Sequence, residues 1–138
     1  MAQRPVRIAT DGMRVRRGEI VVAPGNAHML VRGWRDALSV ELSAAVSATR
    51  NCPSVDPMFA TIASAVGASA VGVVLSGMGR DGASGVEALV AVNATIIVQD
   101  SATSTIWGMP GVVARAGHAS LIAGPAQLAA FLAARAFS

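Results

Sequence analysis

A chain of 138 residues that is 53% hydrophobic and 14% charged is long enough for one domain with its own core and too apolar for general disorder. All 11 basic residues are arginine, the net charge is only +3 and aromatics are 4%. The pI near 11.0 therefore reflects the very high pKa of arginine. The arginines lie scattered along the chain with no aromatic stripe, so nucleic-acid binding is not expected.

Five arginines fall within the first 17 residues and no apolar run follows them, so no secretory signal is expected. One cysteine, Cys52, excludes an intrachain disulfide and suits a reducing, cytoplasmic setting. Residues 57–79 carry no charge. Their pattern changes midway from helical spacing to a short β-branched run, which argues against membrane insertion.

Residues 7–9, 19–23, 28–31 and 38–42 alternate or run apolar between the turn signals Asp11-Gly12, Pro24-Gly25-Asn26 and Gly33. This β-rich portion reads as short antiparallel strands. Residues 49–54 form a loop, and Ser54 is placed to cap a helix over 56–66 with Asp56 in its first turn. Gly67-Ala68-Ser69 ends that helix.

The second half reads as strand 71–75, helix 83–92, strand 94–98, short helix 101–106, helix 111–116, strand 120–122 and helix 125–136. Apolar strands alternating with helices imply an α/β fold with a doubly wound parallel sheet. The expectation is a single domain over residues 1–138, its N-terminal portion short, β-rich and antiparallel.

Between strand 71–75 and helix 83–92 lies Gly77-Met78-Gly79-Arg80-Asp81-Gly82, a G-x-G-x-x-G. A strand before it, a helix after it and Asp100 at the end of the next strand meet three requirements of a dinucleotide site. Asp81 argues against that reading, because a carboxylate at the helix entrance repels a pyrophosphate. Two further readings stand. Asp81 could orient a histidine in a Ser-His-Asp triad at the carboxyl edge of the sheet, or cap its own helix.

Four segments carry a resemblance. LSGMGRDGASG (75–85) is similar to the LTGMGxDGAxG segment of the chemotaxis protein-glutamate methylesterase family. VVAPGNAHM (21–29) resembles its IAPGxxHM, PSVDPMF (53–59) its PSVDxLF, and QDSATSTIWGMP (99–110) its Q(D/N)xxS…(V/W)GMP. The order and spacing match over nearly the whole chain, which resembles the C-terminal two-thirds of the family's catalytic domain.

The resemblance implies a serine hydrolase that cleaves γ-glutamyl methyl esters on chemoreceptors and needs no cofactor. It puts Asp81 on the triad aspartate. Met78, flanked by Gly77 and Gly79, falls where backbone stabilises the oxyanion. His28 falls on an accessory active-site histidine distinct from the base.

The family's serine and base histidine precede the IAPG segment and are not expected within this chain. Ser69 precedes a strand, where a nucleophile elbow follows one. Ser84 lies in the same turn as Asp81, Ser76 replaces the family's threonine, and His118 matches no family histidine. Cys52 stands where the family is expected to have an arginine.

Inactivity alone is therefore expected, with a partner chain supplying the missing groups. The alternatives are a non-catalytic signalling module and a dinucleotide-binding domain through Gly77–Gly82. Strand 71–75 or its neighbour is expected at a bare apolar sheet edge, which favours a homodimer or another polypeptide partner.

Overall fold

The computed structural model describes residues 3–47 and 49–136, without the side chain of Ala136. Its strands are β1 (Val6–Ile8), β2 (Ile20–Val22), β3 (His28–Trp34), β4 (Ala37–Ser43), β5 (Val71–Val74), β6 (Thr95–Gln99) and β7 (Leu121–Ala123). Its α-helices are α1 (Val55–Val66), α2 (Ala83–Ala91), α3 (Met109–Arg115) and α4 (Pro125–Ala136).

The second half is a parallel sheet in the order β5-β6-β7. Ile96 and Val98 of β6 enter one core with Phe59 of α1, Val86 and Leu89 of α2 and Val113 of α3. Ile97 enters the opposite core with Ala123 and Leu128 of α4. Helices on both faces explain why β6 has no polar alternation. β5 ends the three-stranded sheet, the edge position that the sequence suggested.

The β-rich portion departs from expectation. β3 and β4 form an antiparallel hairpin, but β1 and β2 pair in parallel, Val6 with Ile20 and Ile8 with Val22. The intervening chain does not fold back as a hairpin, because its backbone pairs with β4. Gly12 and Val15 donate to Val40 O and Leu38 O, and Val40 N–H donates to Met13 O. Val6, Ile8, Ile20 and Val22 are 46–69% exposed, so β1–β2 carries a bare apolar strip, whereas the residues of β5 are buried or half-buried.

The expected helix over 101–106 is also absent, and its residues form turns. Asp100 Oδ1 accepts from Thr103 N–H at 2.9 Å and from its hydroxyl at 2.6 Å. Gln99 Nε2 donates to Thr103 O at 3.0 Å. The Asp100 bonds close a turn, and Gln99 takes the Thr103 carbonyl that a continuing helix would use. α3 begins two residues earlier than expected, with Pro110 in its first turn.

α1 lies against α2 where Gly85 has no side chain. A Cβ there would stand 2.7 Å from Phe59 Cβ and 3.0 Å from the Asp56 backbone. That close approach sets the two helix N-termini side by side.

Candidate functional site

Asp81 follows β5 and precedes α2, at the carboxyl edge of the parallel sheet where α/β folds place their sites. It is only 6% exposed. Ser54 Oγ donates to its Oδ1 at 2.7 Å, Val55 N–H to its Oδ2 at 2.9 Å, and Thr49 Oγ1 to Oδ1 at 3.3 Å. Burial pushes the carboxyl pKa up. The Val55 amide, the Ser54 hydroxyl, the Asp56 amide and the Thr49 hydroxyl outweigh that and hold it below the usual range. Asp81 is therefore an ionised, fixed carboxylate.

Asp81 does cap a helix, but the helix is α1 and not its own. Ser54 occupies the N-cap position of α1, yet its side chain makes no capping bond and is turned to Asp81 instead. The N-terminus of α2 is occupied in turn by Asp56, whose Oδ1 accepts from Gly82 N–H at 3.0 Å and Gly85 N–H at 2.8 Å. The amides that a pyrophosphate would need are engaged by a carboxylate of the same chain. That geometry argues strongly against the dinucleotide reading. Asp100, its ribose candidate, is engaged by Thr103.

His28 is buried at 3% exposure. Its Nδ1 accepts from Ser54 N–H at 3.0 Å and its Nε2 contacts Ala45 O at 2.6 Å. Nε2 must then carry the proton and donate to the carbonyl. A serine, a histidine and an aspartate thus meet here, but not in the order of a triad. Ser54 donates its hydroxyl hydrogen bond to the aspartate directly, and the imidazole is bonded instead to Ser54 N–H and Ala45 O. His28 reaches Asp81 only through Ser54.

Beside Asp81 opens a depression of about 590 Å³ lined by Thr49, Asn51, Met78, Gly79, Arg80 and Ser84, with Asp56 and Ala83. Met78 is 78% exposed. The loop before it is braced by the chain at 106–109. Gly108 and Met109 N–H donate to Gly77 O, and Gly77 N–H donates to Ile106 O. A Cβ on Gly108 would lie 2.7 Å from Gly77 O and 2.9 Å from Gly79 N, so only glycine fits beside the loop. The left-handed φ of +89° at Gly79 and +99° at Gly82 completes the turn.

The other candidates lie apart or are engaged. Ser76 Oγ donates to Ile106 O at 3.2 Å. Ser69 lies just past the far end of α1. His118 sits between α3 and β7, its N–H on Val113 O, and Cys52 is exposed. Sequence reasoning missed Thr49 and Asn51, treated only as loop, and the outward roles of Ser54 and Asp56. Arg80, the variable position of the glycine motif, was also missed.

Residues 1–132 match the family model described as CheB methylesterase. The chain is 43% identical over 135 residues to protein-glutamate methylesterase/protein-glutamine glutaminase 2 of Caulobacter vibrioides, covering 96% of this chain and 38% of that protein. It is 44% identical over 119 residues to the protein of the same name from Rhodospirillum rubrum, covering 85% of this chain and 32% of that protein. The fold matches the crystal structure of the Thermotoga maritima CheB methylesterase catalytic domain with a TM-score of 0.80 at 28% identity, over 84% of this chain and 61% of that one. The α/β fold and the Asp81 loop thus define a methylesterase-type domain. The chain belongs to the CheB methylesterase family, and spans well under half the length of these curated relatives.

Proposed function

We propose that this chain forms the aspartate half of a protein-glutamate methylesterase site. Asp81 orients a histidine contributed from outside the described residues, and that histidine activates a serine from the same source. The substrate is a glutamyl methyl ester on a chemoreceptor. The observation that carries the reading is Asp81 itself, an ionised, immobilised carboxylate at the sheet's carboxyl edge beside an open depression.

In this reading the serine Oγ attacks the ester carbonyl while the histidine takes its proton. Asp81 stabilises the imidazolium, and backbone at Met78 faces the developing oxyanion. The C–OCH3 bond breaks, the histidine returns the proton, and methanol leaves. Water then hydrolyses the acyl-serine by the same route. The Thr49 hydroxyl donates to Asp81 at 3.3 Å, against 2.7 Å for Ser54 and 2.9 Å for Val55 N–H, and is the donor an incoming imidazole displaces most readily.

A second reading, a non-catalytic signalling module, is favoured by one observation. Four donors already act on the Asp81 carboxylate: Val55 N–H, Ser54, Asp56 N–H and Thr49.

The test is methanol release from a methylated receptor fragment. It compares the chain alone with the chain mixed with the preceding part of the Caulobacter vibrioides catalytic domain. Release only in the mixture, reduced about 10⁴-fold by Asp81→Asn but retained by Asp56→Asn, is the expected result. Asp56→Asn removes charge from the same helix junction without touching the triad. Release insensitive to Asp81→Asn would overturn the proposal, and receptor binding without release would favour the second reading.

A further inference from the structure

The arginines that look scattered in the sequence converge in the fold. Arg14, Arg16, Arg17 and Arg35 line a depression of about 510 Å³ beside the β3–β4 turn. Arg17, Trp34 and Arg35 also line a second one, of about 640 Å³, together with the last turn of α1 from Ala63 to Val66 and Gly67 just beyond it. Among the described residues, Asp36 is the only carboxylate lining either. The excess of cations there equals the whole net charge of the chain, +3.

These groups are open to partners. The Arg17–Asp36 pair is 2.8 Å long, but its side chains are 91% and 79% exposed, so water screens it and it exchanges easily. Glu19 is committed to Arg7 at 2.7 Å and accepts from Arg16 N–H at 3.1 Å. Trp34 is 65% exposed, with the Arg35 guanidinium over its ring at 5.5 Å. The patch lies at the C-terminal end of α1 and Asp81 at its N-terminal end. Twelve residues at a helical rise of 1.5 Å separate them by about 18 Å.

We propose that this patch is a docking surface for an acidic segment of a partner protein. Such a segment would place a Glu or Asp carboxylate in each depression and an apolar side chain against Trp34. Guanidinium forks pair with carboxylates in two parallel hydrogen bonds, which fixes orientation as well as charge. The shape selects a polypeptide over a bilayer, because a flat headgroup surface does not fill two adjoining depressions that share Arg17 and Arg35. Trp34 is the one aromatic side chain among the described residues lining either depression, so successive bases would find no run of rings to stack on. The proposal is independent of the esterase reading.

The test is fluorescence anisotropy of a short labelled peptide made of Glu pairs separated by Leu, titrated with the full chain. Binding should weaken about tenfold or more in the double variant Arg17→Glu, Arg35→Glu, and again as salt rises from about 50 to 300 mM. Trp34→Ala should weaken it several-fold, and Arg135→Glu, on α4, should leave it nearly unchanged. Circular dichroism checks that each variant is folded. Any of three results would overturn the proposal: no peptide binding, equal loss from Arg135→Glu, or binding to phosphatidylglycerol vesicles but not to the peptide.

Discussion

Asp56 and Asp81 cap each other's helices. Asp81 Oδ2 holds the first amide of α1, one residue before Asp56, at 2.9 Å. Asp56 Oδ1 holds Gly82 and Gly85, one and four residues beyond Asp81, at 3.0 and 2.8 Å. Each carboxylate lies at the positive end of a helix that is not its own. The candidate catalytic aspartate is therefore also a structural joint.

Replacing Asp56 removes acceptors from two α2 amides without touching Asp81. Asp56→Ala should destabilise the chain by about 1–2 kcal/mol, read as a lower urea midpoint at unchanged slope. Asp81→Ala should cost more, because it also strands the buried Ser54 hydroxyl.

Acid should loosen the same joint. The folded chain holds the Asp81 carboxyl below its ordinary range. Its stabilisation is then complete above the unfolded value of about 4 and is lost as pH falls through the lower folded value. Glu19 and Asp100 are also depressed and add to the slope in the same window. Urea unfolding at descending pH should show Asp81→Asn with a flatter profile than the parent. Identical slopes would mean that Asp81 is not held as described.

The glycine loop depends on Gly108. Gly108→Ala forces a Cβ to within 2.7 Å of Gly77 O and should cost about 1–3 kcal/mol. Gly25→Ala, with nothing within 4 Å of the added carbon, is the neutral comparison. Thermal melts of both variants decide the point.

The tautomer of His28 is fixed by its neighbours. Long-range ¹H–¹⁵N correlation should find the proton on Nε2, facing Ala45 O, and a bare Nδ1 facing Ser54 N–H. His28→Ala should cost about 2 kcal/mol or more, through the two backbone groups left unpaired. The opposite tautomer would undo the link from β3 to Ser54.

Much of this was legible in the chain. The apolar runs at 71–75 and 94–98 announced buried parallel strands, because β6 packs on both faces. The Asp81 loop was legible from its position between strand and helix. Pairing partners were not. Alternation in residues 7–9 and 19–23 says strand but not parallel, since the choice was made by the backbone of residues 12–15 binding β4. Nor could local patterns reveal that Asp81 serves a helix beginning 26 residues earlier, or that Arg17 and Arg35 share two depressions. Those relationships exist only once the chain has closed.

The crossed caps also bear on motion. The amides of Val55, Gly82 and Gly85 are held by side chains from the neighbouring helix, so fraying within one helix does not release them. They can meet solvent deuterium only when α1 and the Asp81 loop separate. All three should therefore exchange with one opening free energy, as members of a single cooperative unit. Asp81, the candidate catalytic aspartate, would in this way share its lifetime of order with the start of a helix elsewhere in the chain.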